Sequence, residues 1–205
     1  MILPARVYFI VDPLDTGRDP VELASAMLAG GARLLQLRLK QRPSGELVAI
    51  ARRLRELTAA AGAHLIVNDR IDVALAAEAD GVHLGQDDVP VAVAREMLGP
   101  ARWIGFSTHS EAQLEAASGL GADYLSLGPI FATTSKAAAD PVIGPDVLRA
   151  ARPRITEPVV AIGGITAATA REVLDAGADA ISVIAAVVRA PDVARATAEL
   201  LALAG

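Results

Sequence analysis

The chain has 205 residues and no cysteine, which removes disulfides, zinc-thiolate sites and thiol nucleophiles and fits the reducing cytoplasm. A formal net charge of -5 argues against a nucleic-acid or anionic-membrane partner, because both are bound through basic surface, and leaves small molecules as the expected ligands. Hydrophobic residues make up 53% of the chain but aromatic ones only 3%, so the expected core is built of Ala, Leu, Val and Ile, enough for one domain over residues 1–205.

The opening Met1 to Arg6 lacks the basic start and long apolar stretch of a secretory signal, and leads into a first strand at Val7–Val11. Further short apolar strands are expected at Leu34–Leu37, 65–67, Gly81–Leu84, 103–106, Tyr124–Leu127, Val159–Ile162 and 180–184. Between them lie Ala- and Leu-rich segments of helical character, such as 47–61 and 112–120. Pro43-Ser44 and Ser110-Glu111 look like helix entries, and Pro191 suits a first helical turn. The longest apolar run, 180–188, is far below the ~18 residues that suggest a membrane span.

One phrase recurs before several strands: Gly31-Ala32-Arg33, Gly62-Ala63-His64, Glu78-Ala79-Asp80, Gly121-Ala122-Asp123 and Gly177-Ala178-Asp179. Each reads as a helix stop in the left-handed conformation, followed at once by a strand. Eight strand-helix units predict a parallel sheet closed into a (β/α)8 TIM barrel; an open doubly wound sheet is the alternative.

In such a barrel the strand C-termini and the loops after them build the active site. After the second strand, Gln36, Arg38 and Lys40 alternate with Leu37 and Leu39, so the three polar side chains share one side. Inward, that side puts two cations at the mouth; a solvated strand end explains the segment equally well. The third strand ends in Asn68-Asp69-Arg70 and the fourth in Gly85-Gln86-Asp87-Asp88. Carboxylates at adjoining strand ends suit Mg²⁺, a hard ion that binds through one or two carboxylates and substrate phosphates. Two of them ~4 Å apart repel by roughly 4 kcal/mol at an effective dielectric of 20, which a cation between them relieves. Helix capping by Asp69 or Asp88 is the plainer reading and, on these residues alone, the preferred one.

The fifth strand leads to Ser107-Thr108-His109 and the sixth to Thr133-Thr134-Ser135-Lys136, a hydroxyl-rich loop closed by lysine that can wrap anionic oxygens. The segment 137–143, with Pro141, is expected to act as a lid. Gly163-Gly164 after the seventh strand lets backbone approach a ligand, and Ile184-Ala185 follows the eighth, where phosphates often bind in this fold. His64 is expected at the surface, His83 as a hydrogen-bonded interior residue, and His109 in a mouth loop; none is placed for a hydrolase triad.

Taken together, Gln36-Leu37-Arg38-Leu39-Lys40, Asn68-Asp69-Arg70, Gly81 to Asp88, Gly105 to His109, Gly128 to Lys136 and Ala161 to Ile165 resemble the thiamine phosphate synthase family, in order and over nearly the whole chain. The resemblance implies a transferase that joins an aminopyrimidine methyl diphosphate to a thiazole phosphate, or its carboxylated form, releasing diphosphate. It implies Mg²⁺ held by Asp69 and Asp88. Gln36, Leu37, Arg38, Leu39, Lys40, Asn68, Ser107 and Lys136 match the family's pyrimidine diphosphate contacts, with Arg38, Lys40, Ser107 and Lys136 as catalytic residues. Thr133, Thr134, Ser135, Gly164, Ile184 and Ala185 match the thiazole phosphate contacts.

The chain departs from the family pattern at Leu39, where an acidic residue is usual, at Ser135 for threonine, at Ala132 for proline and at Ala185 for serine; the last removes one hydroxyl from the thiazole phosphate site. The rival readings are a thiazole tautomerase of the same superfamily, which has no need of the diphosphate machinery, and a non-catalytic barrel that binds a phosphometabolite. A homodimer is a possible assembly.

Overall fold

A computed structural model describes residues 3–135 and 140–205. Eight parallel strands pair in chain order and close into a barrel: β1 (Val7–Val11), β2 (Leu34–Leu37), β3 (His64–Asn68), β4 (Gly81–Leu84), β5 (Trp103–Thr108), β6 (Tyr124–Leu127), β7 (Val159–Ile162) and β8 (Ala180–Val183). Helices α1 (Pro20–Ala29), α2 (Ser44–Ala60), α3 (Ile71–Ala76), α4 (Val91–Leu98), α5 (Glu111–Ala117), α6 (Gly144–Ala151), α7 (Ala170–Asp175), α8 (Ala185–Val188) and α9 (Val193–Ala204) follow the strands in turn. The expected (β/α)8 barrel is therefore the observed one.

Five strands keep their expected bounds. β3 and β5 run farther, because His64, Asn68, Ser107 and Thr108 are polar and break the apolar pattern while still pairing with their neighbours. β8 stops at Val183, one residue early, because Ile184 already caps α8, whose four residues continue the apolar run and so leave no mark in the hydrophobic pattern. Pro191 does not enter a helix: Asp192 caps α9, accepting from the Arg195 N–H at 3.0 Å, and Pro191 precedes the cap. Ser110 caps α5 as expected, accepting from Gln113 N at 3.2 Å.

The recurrent helix-stop phrases behave as one device. Gly31, Gly62, Glu78, Gly121 and Gly177 all take positive φ, Glu78 doing at 53° what glycine does elsewhere. Three of these phrases end in an aspartate that ties the base of the barrel. Asp80, Asp123 and Asp179 stand just before β4, β6 and β8, and each accepts the N–H of a residue in the preceding strand: Leu65 at 2.8 Å, Ile104 at 2.7 Å and Val159 at 2.8 Å. An arginine follows each carboxylate, Arg55 at 3.6 Å, Arg95 at 2.6 Å and Arg152 at 3.0 Å.

Two apolar layers result. Outward-facing strand residues such as Phe9, Leu35, Val67 and Ile181 pack against the helices, whereas Tyr8, Leu34, Ile66, Tyr124, Val160 and Ala180 fill the barrel centre. The few aromatic residues thus include two tyrosines in the middle of the barrel, where an aliphatic core was expected. Above this plug the barrel is open. Among the described residues no helix is long and apolar enough to cross a membrane.

Candidate active site

A cavity of about 760 Å³ occupies the C-terminal mouth of the barrel. Alternation along β2 and its continuation puts Gln36, Arg38 and Lys40 on its wall, whereas Leu37 is buried in the outer core and Leu39 packs against that core; neither leucine lines the cavity. Asn68, Asp69, Asp88 and Ser107 line one side. Thr133, Thr134, Ser135, Gly164, Ile184 and Ala185 line the other. Lys136 and the first part of the expected lid, residues 136–139, lie outside the described residues.

Asp69 and Asp88 do not cap the helices that follow. Arg70 and Pro90 occupy the caps of α3 and α4, with no side-chain bond at either. Asp69 instead takes φ 61°, a conformation that Asp tolerates better than most residues, while its N–H donates to the His83 carbonyl at 2.8 Å. Asp88 accepts from Gly85 N at 2.7 Å, folding its loop back toward the mouth. The two carboxyl groups come within hydrogen-bonding reach of each other. Burial first, and the facing Asp88 second, push the Asp69 carboxyl up to about 6 against the pull of Lys40 and Arg38.

This donor set fits a hard divalent cation. Two carboxylates whose charges oppose each other gain from an ion shared between them. Among the described residues no cluster of three His, Cys, Asp or Glu side chains is placed to hold a metal. Such an ion would therefore draw its other oxygens from water or ligand phosphates, a coordination that Mg²⁺ accepts.

The opposite side suits an anion. Gly163 and Gly164 take φ 100° and 65°, and a side chain on either would overlap Pro129, Phe131 or the Ala132 carbonyl. The loop after β6 is thus pressed along the loop after β7, with Phe131 N donating to Gly163 O at 2.9 Å. Thr133 accepts from Ser135 N at 3.2 Å and Arg189, the C-cap of α8, donates to the Thr134 hydroxyl at 3.3 Å, which ties the hydroxyl-rich turn to the end of that helix.

Several polar residues at the site carry no motif. Asp12, just past β1, is 9% exposed and ion-paired with Arg38. In the barrel interior, Gln36 Nε2 donates to the Tyr8 hydroxyl at 2.9 Å, and the hydroxyls of Tyr8 and Tyr124 are 3.0 Å apart. Tyr124 is also 3.0 Å from His83 Nδ1, and His83 Nε2 is 2.8 Å from the Ser107 hydroxyl. Burial lowers His83 to about 4, so the ring is neutral, and burial raises both tyrosines, so their hydroxyls keep their protons. The hydroxyl of Ser182, in a residue 3% exposed and lining the cavity, finds no hydrogen-bond partner among the described residues. Single polar residues inside apolar strands are the only trace that these positions leave in the sequence. His109 lines the mouth as expected, its Nδ1 2.8 Å from Gly128 O and 3.5 Å from Asp140, and His64 is partly exposed and stacked on Trp103.

Residues 7–187 match the family model described as thiamine monophosphate synthase. The chain is 50% identical over 191 residues to the thiamine-phosphate synthase of Moorella thermoacetica, covering 93% of this chain and 91% of that protein. It is 48% identical over 203 residues to the thiamine-phosphate synthase of Chloroflexus aurantiacus, covering 98% and 94%. Among solved structures, thiamine phosphate pyrophosphorylase from Pyrococcus furiosus superimposes with a TM-score of 0.88 at 43% identity, over 97% of this chain and 95% of that one.

Proposed function

This chain belongs to the thiamine monophosphate synthase family, and we propose that it is a transferase joining an aminopyrimidine methyl diphosphate to a thiazole phosphate to give thiamine phosphate and diphosphate. The observation that carries this reading is the convergence of Arg38, Lys40, Asp69 and Asp88 on one side of a cavity whose other side is built of backbone and hydroxyl groups. Cations and a carboxylate pair suit a diphosphate; the glycine and hydroxyl side suits a phosphate monoester.

In the reaction, the bond between the pyrimidine methyl carbon and the diphosphate oxygen breaks, with both electrons leaving on oxygen. The thiazole nitrogen then forms the new bond to carbon with its own lone pair. No proton changes hands, so no general base is required, and the neutral, hydrogen-bonded His83 is not asked to act as one. Arg38 and Lys40 hold the departing diphosphate while its charge grows, and Lys136, outside the described residues, is assigned to the same charge by the family resemblance. Asp69 and Asp88 would hold Mg²⁺, which when bound would neutralise part of that charge. Thr133, Thr134, Ser135, Gly164, Ile184 and Ala185 anchor the thiazole phosphate, bringing its nitrogen to the carbon that loses its leaving group.

The deciding experiment supplies purified protein with both substrates and Mg²⁺ and measures thiamine phosphate. Product is expected, and Lys136→Ala or Asp69→Asn should lower turnover by about 10²–10³, the size of one removed transition-state donor. Isomerisation of the thiazole without product, or wild-type rates in both variants, would overturn the reading.

A further inference from the structure

Five strands contribute to one chain of hydrogen bonds through the barrel, running Gln36, Tyr8, Tyr124, His83, Ser107, with separations of 2.9, 3.0, 3.0 and 2.8 Å. Its two ends, Gln36 and Ser107, both line the cavity. Tyr8 and His83 reach the cavity floor while remaining buried, and only Tyr124 stands behind the lining. Gly105 keeps the chain possible: a Cβ at that position would overlap the Tyr124 hydroxyl and His83 Nδ1.

The Gln36 amide, with Nε2 toward Tyr8, sets the direction of the chain, and counting protons carries that direction through the remaining links. Gln36 donates an amide N–H to Tyr8, so the single Tyr8 proton passes to Tyr124, and the Tyr124 proton passes to His83 Nδ1. A neutral imidazole that accepts at Nδ1 carries its hydrogen on Nε2 and donates it to the Ser107 hydroxyl oxygen. At the cavity end, Gln36 is left with its carbonyl oxygen as an acceptor and Ser107 with its O–H as a donor. Reversing any one link would leave two protons facing each other at 3.0 Å or two lone pairs doing so, and burial makes either arrangement costly.

We propose that Tyr8, Tyr124 and His83 are positioning residues that set the hydrogen-bonding polarity of the cavity, so that Gln36 offers an acceptor and Ser107 a donor to the ring of the substrate. The inference rests on the synthase reading for the identity of that ring. An aminopyrimidine matches this polarity: its amino group donates toward β2 and a ring nitrogen lone pair accepts from β5. The corresponding oxopyrimidine, which presents a carbonyl in place of the amine, opposes it.

The test compares binding of the aminopyrimidine methyl diphosphate, its oxo counterpart and inorganic diphosphate to the wild type, Tyr8→Phe and Tyr124→Phe. Both variants keep the ring that packs in the barrel centre and remove only a hydroxyl. The wild type is expected to favour the amino compound by at least about tenfold, equivalent to one mismatched buried hydrogen bond. Each variant should lose most of that preference while binding inorganic diphosphate like the wild type, a split that a general loss of structure would not produce. A folded variant that keeps the wild-type preference, or a wild type that favours the oxo ring, would overturn the proposal.

A readout that needs no variant is the ¹⁵N spectrum of His83 in the wild type. The hydrogen on Nε2 is expected, and a hydrogen on Nδ1 would overturn the proposal. Thiamine phosphate formation is scored separately: product with no ring preference sinks the polarity device and leaves the synthase reading standing. Ring preference without product, abolished in the variants, does the reverse.

Discussion

The Arg38 guanidinium is ion-paired with Asp12, a carboxylate from the end of β1 that does not itself line the cavity. Asp12 is held in turn by the Leu14 N–H at 2.9 Å, so the arginine aimed at the mouth is oriented from behind by a hydrogen-bonded turn. Such an arrangement serves aim rather than attraction, because the carboxylate reduces the net charge that Arg38 presents.

Replacing Asp12 by Asn therefore separates the two effects. Turnover is expected to fall about tenfold, the equivalent of one charge-assisted hydrogen bond lost from the supporting shell. Affinity for inorganic diphosphate should not fall, since the change leaves Arg38 less neutralised. Steady-state kinetics beside calorimetric titration of diphosphate measures both, and a parallel loss of binding and turnover would contradict the role.

Asp69→Asn should stabilise the metal-free protein while inactivating it. The Asp69 carboxyl titrates at about 6 in the folded chain, above the usual carboxylate range, so its ionisation opposes folding. That penalty is fully present above pH 6, fades as the pH falls through about 6 and is gone below about 4. Asparagine accepts the positive φ at this position. In chelator, the variant is expected to melt above the wild type at pH 7.5, with the gap closing near pH 4. An equal or lower melting temperature at pH 7.5 would show that the charge is not a burden.

Ser182→Ala probes the buried hydroxyl on the cavity floor. Removing an unsatisfied polar atom should raise the stability of the ligand-free protein by about 1 kcal/mol, whereas removing a hydroxyl that serves a ligand should weaken ligand binding severalfold. Chemical denaturation with and without the pyrimidine diphosphate distinguishes these effects. A destabilised ligand-free variant would mean that the hydroxyl is already satisfied.

Gly164→Ala combines a left-handed backbone with overlap on Phe131 and the Ala132 carbonyl. The expected cost is about 2 kcal/mol or more, together with a raised KM for the thiazole phosphate as the two loops part. A variant with unaltered stability and KM would show that the loops can separate freely.

The architecture was legible because its signals are periodic. The helix-stop phrases and the short apolar strands repeat with the unit of the fold, and Gln36, Arg38 and Lys40 reach the cavity because strand alternation carries on past the end of β2. Leu37 and Leu39 follow the same rule to the opposite side. What stayed hidden lacks a period. Tyr8 and Tyr124 stand 116 residues apart and meet only when β1 and β6 face each other across the barrel, and Asp12 gains meaning only from the register that sets β1 beside β2. The α8 turn escaped for a different reason, since residues buried on every side read alike in strand and helix.

The aspartates before β4, β6 and β8 have a bearing on how such a chain can change over time. Each fastens an odd-numbered strand to its successor from the end remote from the reacting groups, with an arginine as outer buckle. Loops at the opposite rim can therefore be lengthened, shortened or recoloured without loosening the staves. A lineage could explore new ligands at one end while these ties keep the strands in register at the other.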